Sequence, residues 1–112
     1  MTLDSLTADE KLALVALLKL VVRADRELSS DEVKELNEVA RQMGPDEWRA
    51  TVDRARERFR TAQEVTQFAE TITRQQAQRL IHKLLVRAAR ADGIVPEEAS
   101  ILLWLAKLWR IR

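Results

Sequence analysis

Four residues able to break a helix stand in this chain of 112: Gly44 and Pro45 in one pair, Gly93 and Pro96 in another. Between these punctuation marks apolar residues recur at spacings of three and four, which places them on one face of an α-helix. Nowhere do apolar and polar residues alternate over a length that a strand would need. The chain is therefore expected to be all-α, a single compact bundle of about six helices over residues 1–112.

Helix starts can be read from capping chemistry. "TADE" at 7–10 pairs Thr7 with Glu10 as a capping box and opens a first helix that runs to about Ala24. Leu12, Val15, Leu17, Leu18, Val21 and Val22 surround most of that helix, which marks it as central. "SSDE" at 29–32 pairs Ser29 with Glu32 ahead of a stripe of Val33, Leu36, Val39, Ala40 and Met43, and Gly44-Pro45 stops that helix. A third helix over about 46–60 carries Trp48, Val52, Ala55 and Phe59 on one stripe. "TAQE" at 61–64 opens a short helix with Val65, Phe68, Ala69 and Ile72, and "TRQQ" at 73–76 opens a fifth with Leu80, Ile81, Leu84, Leu85 and Ala88. Gly93 ends the fifth, and Pro96 begins the sixth.

Composition narrows the chemistry. With no cysteine, disulfides, thiolate metal sites and thiol nucleophiles are excluded together, which fits a reducing cytoplasm. With His82 as the one histidine, a bound metal would need oxygen ligands and would be a hard cation such as Ca²⁺ or Mg²⁺. Nineteen basic and eighteen acidic residues leave a net charge of +1, so no global field gathers nucleic acid. "LALVALL" at 12–18 falls short of the roughly 20 residues that span a bilayer. No secretory pattern precedes it, and the expected location is cytoplasmic.

One segment is written twice. "RADRELSSDE" at 23–32 returns 67 positions later as "RADGIVPEEA" at 90–99. The same shift puts Leu14 on Ile81, Leu17 on Leu84, Leu18 on Leu85, Asp25 on Asp92, Leu28 on Val95, Asp31 on Glu98 and Leu36 on Leu103. The repeated unit is a whole helix–turn–helix hairpin. Each copy has an aspartate at the end of one helix and a carboxylate in the first turn of the next. Two readings of these acids stand side by side. In one they only accept turn amides and complement helix N-termini, each for about 0.3–1 kcal/mol. In the other the two elbows pack together, and Asp25, Glu27, Asp31, Glu32, Asp92, Glu97 and Glu98 form one acidic patch for a divalent cation or a basic partner. The patch is not an EF-hand, because the twelfth position counted from Asp25 is Leu36 rather than glutamate.

The stretches "LVVRADRELSSDEVKEL" and "LLVRAARADGIVPEEASIL" resemble the paired motifs of the TerB-like, tellurite-resistance-associated family. The resemblance covers about 12–43 and 78–109; between them the chain matches only as generic helices. It implies an all-helical fold with an acidic, cation-binding patch, in bacterial stress-response and membrane-associated chemical defence. Carried over residue by residue, it makes Asp25, Asp31 and Glu32 the candidate metal ligands in the first copy, and Asp92, Glu97 and Glu98 those in the second. This chain departs from the pattern with Arg26 in place of the glycine after Asp25. Ala99 stands where the first copy has Glu32.

Other features read as scaffold. His82 lies one position off the apolar stripe, as a boundary residue does, and no motif positions a base beside Ser29, Ser30 or Ser100. No glycine-rich phosphate loop exists, so no enzymatic activity is expected. Arg49, Arg56 and Arg60 form a basic stripe, but Asp53 and Glu57 interrupt it, and it reads as a solvated face rather than a nucleic-acid surface. The last helix is apolar on nearly every side, from Ile101 through Trp104 and Trp109 to Ile111. It is expected either to dock another protein or a second copy of the chain, or to be a second central helix paired with the first. Peripheral membrane contact through its tryptophans, Lys107, Arg110 and Arg112 is the lesser reading.

Overall fold

Six α-helices follow a short 3-10 turn at Leu3–Ser5: α1 (Ala8–Arg23), α2 (Ser30–Met43), α3 (Pro45–Arg58), α4 (Ala62–Ala69), α5 (Gln75–Arg90) and α6 (Pro96–Leu108). The computed structural model describes residues 2–23, 30–90 and 96–111, and the side chains of all of these except 22, 23 and 30–33. Among the described residues there is no strand. The capping box of Ser29 and Glu32 lies outside what is described.

The first capping box forms as its letters require. Thr7 N–H donates to Glu10 Oε1 at 2.8 Å, and Glu10 N–H donates to Thr7 Oγ1 at 3.2 Å. Glu10 is buried, and Arg74 reaches it from the turn before α5, donating through Nε at 3.0 Å and Nη2 at 2.5 Å. The same Nη2 donates to the Ser5 carbonyl at 2.8 Å, so one guanidinium fastens the N-terminal turn, α1 and the start of α5. These Arg74 hydrogen bonds are the main reason the Glu10 carboxyl is held below its ordinary 4.5; burial opposes them, and the Thr7 amide adds to them. A carboxyl whose folded pKa lies below its unfolded one stabilises the fold above the unfolded value. That contribution disappears as pH falls through the folded value. Glu10→Gln is therefore expected to cost about 1–3 kcal/mol at neutral pH, shrinking below about pH 4. Urea unfolding at both pH values measures this, and a deficit that does not change with pH would contradict it.

The internal repeat appears in the helix bounds themselves. α1 starts at Ala8 and α5 at Gln75, 67 positions apart. These first arms, α1 and α5, pack against each other more extensively than any other pair of helices. The second arms cross over: α2 packs on α5, and α6 packs on α1 as well as on α5. The shared core follows the repeat, with Leu14 and Ile81 at 0%, Leu17 at 0% and Leu84 at 8%, and Leu18 at 1% and Leu85 at 0% relative exposure. As its sequence predicts, α1 is central, and it also touches α3 and α4. Every residue from Leu12 to Leu18 is buried.

Some details differ from the sequence reading. α3 buries Thr51 and Ala55 most deeply, while Trp48, Val52 and Phe59 are only half-buried. Thr51 satisfies its hydroxyl on the Glu47 carbonyl at 2.7 Å, which makes a polar residue acceptable there. α4 stops at Ala69, yet Ile72 is still buried because the turn after the helix folds back, with Thr71 and Ile72 N–H donating to Phe68 and Ala69 carbonyls. Gly44 joins α2 to α3 at φ 102°, a conformation that suits glycine. At the end of α6, Ile111 N–H donates to the Ala106 carbonyl at 2.8 Å and Arg110 N–H to the Lys107 carbonyl at 3.3 Å. This is the Schellman pattern, and the left-handed position that glycine normally takes is occupied by Arg110 at φ 54°. A side chain there costs roughly 1–2 kcal/mol relative to glycine.

Candidate functional site at the helical elbows

The arms that flank the two elbows are described, and their contacts show how the two hairpins are arranged. Leu20, in the last turn of α1, and Ile101, in the second turn of α6, line the same two surface cavities. Between α5 and α2, the other such pair of arms, the contact is polar: Arg87 Nη2, in the last turn of α5, lies 3.7 Å from Glu35 Oε2 in the second turn of α2. The arm entering each elbow therefore meets the arm leaving the other.

The candidate ligands fare differently. Asp25 and Asp92, with Glu27, lie outside the described residues. Asp31 and Glu32 are in the first turn of α2, where the helix dipole favours a carboxylate, but their side chains are not described. In the first turn of α6, Glu97 is exposed whereas Glu98 is 1% exposed, so these neighbours do not act as one pair. Glu98 is the deepest-buried carboxylate among the described residues. A buried carboxylate needs hydrogen bonds or a cation to offset its desolvation. Among the described residues no group of three or more Asp, Glu or His comes together as a cage. The donor set of these candidates is oxygen only, which fits a hard cation and not a thiolate or imidazole metal.

Cations compete for the acids of α2. Arg87 already engages Glu35. One turn further along α2, Arg41 and Gln42 donate to Glu38 and hold its carboxyl down to about 2, the Arg41 hydrogen bond contributing most. Glu35 and Glu38 were not among the expected ligands; their i, i+3 spacing after Asp31 and Glu32 was a visible signal that this face of α2 stays acidic.

The other sequence candidates take structural places. His82 is half-buried, with Nε2 3.2 Å from the Leu102 carbonyl. Arg49, Arg56 and Arg60 are exposed, while Trp48 and Phe59 turn toward the core. On α6, Leu102, Leu105 and Trp109 are buried in the chain's own interior, and Leu103, at 62%, is the exposed large hydrophobic residue among those described. No helix among the described residues is long and apolar enough to cross a membrane.

Comparison with known families places this geometry. A family model described as tellurite resistance protein TerB matches residues 11–112, which takes in both hairpins and the linking pair α3–α4. No curated protein and no solved structure matches the chain.

Proposed function

The chain belongs to the TerB family of tellurite-resistance proteins, and from that membership we propose that it is a non-enzymatic interaction module whose two elbows present one acidic surface. Its ligand on this reading is a hard divalent cation, or the basic surface of a protein partner recruited through the same carboxylates. The observation that carries the reading is the meeting of entering and leaving arms, Leu20 with Ile101 and Arg87 with Glu35. It supports a shared acidic neighbourhood because each first arm packs against the second arm that carries the acids of the other copy. Two like-charged clusters brought together repel each other unless a counter-charge joins them. Asp25, Asp31 and Glu32 would meet Asp92 and the exposed Glu97 around that counter-charge, while Glu98 faces inward.

Titration of the ¹⁵N-labelled chain with Ca²⁺ and with Mg²⁺ tests the cation arm. Amides of residues 25–32 and 92–98 are expected to shift together, with one saturation curve for both copies. The Asp25→Asn/Asp92→Asn variant is expected to weaken binding by at least about tenfold, the equivalent of one lost charge-assisted contact. Spectra unchanged at millimolar metal would reject the cation and leave the basic partner as the ligand class.

A further inference from the structure

Charge is not spread evenly along the chain. Residues 74–112 hold eight Lys or Arg against three Asp or Glu, whereas residues 1–73 hold eleven against fifteen. α5 contains Arg79, Lys83, Arg87 and Arg90 and no acid at all. Spacings of four, four and three put these cations on one exposed face, where like charges at i, i+4 repel. Arg87 has Glu35, but Arg79 and Lys83 make no ion pair among the described residues.

Those two side chains converge with the C-terminal turn. Gln75, Arg79, His82, Lys83, Arg110 and Ile111 line a concavity of about 680 Å³. That volume lies in the range of small-molecule sites, about 300–1,000 Å³. Its lining offers two guanidiniums, an ammonium, an imidazole and an amide, and no carboxylate side chain. An independent feature belongs to the same concavity: Arg110 is the residue held at φ 54° in the Schellman turn, where glycine is the comfortable choice. Lys107 already places a cation in the last turn of α6, so the helix dipole does not by itself account for a second one at a strained position. Strained backbone at a ligand-facing residue is a recognised mark of a binding site.

We propose that α5 and the turn after α6 form a binding site for a small anion with two or more linked phosphoryl groups. The forked guanidiniums of Arg79 and Arg110 suit bidentate contact with phosphoryl oxygens, and Lys83 adds a point charge to the same lining. The concavity contains no Phe, Tyr or Trp, and its one ring, His82, is held by Nε2 against the Leu102 carbonyl, so the ligand is read chiefly through its phosphoryl groups. This site stands apart from the acidic elbows and does not depend on them.

The test is titration of the ¹⁵N-labelled full chain with sodium tripolyphosphate at fixed ionic strength, with sulfate as the comparison anion. Amides of residues 75–83 and 106–111 are expected to shift and saturate with tripolyphosphate and to move little with sulfate. Arg79→Gln/Lys83→Gln, both at exposed positions, is expected to weaken binding by about tenfold or more. Arg110→Gly is the sharper variant, expected to weaken binding while leaving the thermal midpoint unchanged or raised. A merely structural arginine would show the opposite, unchanged binding with a lowered midpoint, and that result would overturn the proposal. Equal shifts with sulfate would also overturn it, as would retention on duplex DNA or anionic vesicles without saturable tripolyphosphate binding.

Discussion

Trp109→Ala is expected to destabilise the fold by about 3–5 kcal/mol, measured by urea or guanidinium unfolding. The indole is 6% exposed although it lies one residue beyond the end of α6, and it occupies the space beside the end of α4. There its Nε1–H donates to the Ala69 carbonyl at 3.0 Å, a buried hydrogen bond that joins two distant parts of the chain. Truncation removes the largest apolar surface of the C-terminal turn and leaves that carbonyl without its donor. Trp109→Phe separates the two effects, since it retains much of the ring contact; its expected cost, about 1–3 kcal/mol, is mainly the unmet carbonyl. Leu103→Ala on the same helix serves as the control, within about 0.5 kcal/mol of the parent because its side chain is largely in solvent. A Trp109→Ala loss no larger than that of Leu103→Ala would refute the anchoring role.

Leu17→Ala is the second large effect. Leu17 has no exposed surface and sits midway along the helix that α3, α4, α5 and α6 all touch. A cavity opened there is enclosed by several elements at once and cannot collapse, so the expected cost is toward the upper end of about 2–5 kcal/mol. Its repeat counterpart Leu84, 8% exposed, lies nearer the edge of the core and is expected to cost less on the same substitution. Parallel denaturation of the two variants checks the order; equal losses would mean that the two first arms are equivalent in packing despite their different surroundings.

Much of this was legible in the sequence because it was local or repeated. Thr7 and Glu10 form their capping box, Thr61 and Glu64 form theirs, and the 67-residue shift read from letters reappears in the starts of α1 and α5. What escaped depended on tertiary surroundings. Thr51 is more buried than Val52 because the rotation of α3 is set by α1, and periodicity cannot fix that angle to one residue. Ile72 continues the spacing of Val65 and Phe68 but reaches the core from a turn, which helical periodicity cannot distinguish from a longer helix. At the candidate site, Glu97 and Glu98 read as interchangeable acids of a first turn, yet adjacent helical positions point about 100° apart, and one faces inward while the other faces water. The contact of Arg87 with Glu35 required knowing that the second arms cross. The uniform charge of α5 was there to be read and needed only a count of signs along one helix.

The crossing of α2 onto α5 and of α6 onto α1 means that neither half of the duplicated sequence is free to drift by itself. A change at Leu20 must be tolerated by Ile101, and one at Glu35 by Arg87, although the members of each pair are far apart in the chain. Mutational freedom is thus shared between the halves. An ancestral symmetry, once established, would be worn away in matched pairs rather than one copy at a time.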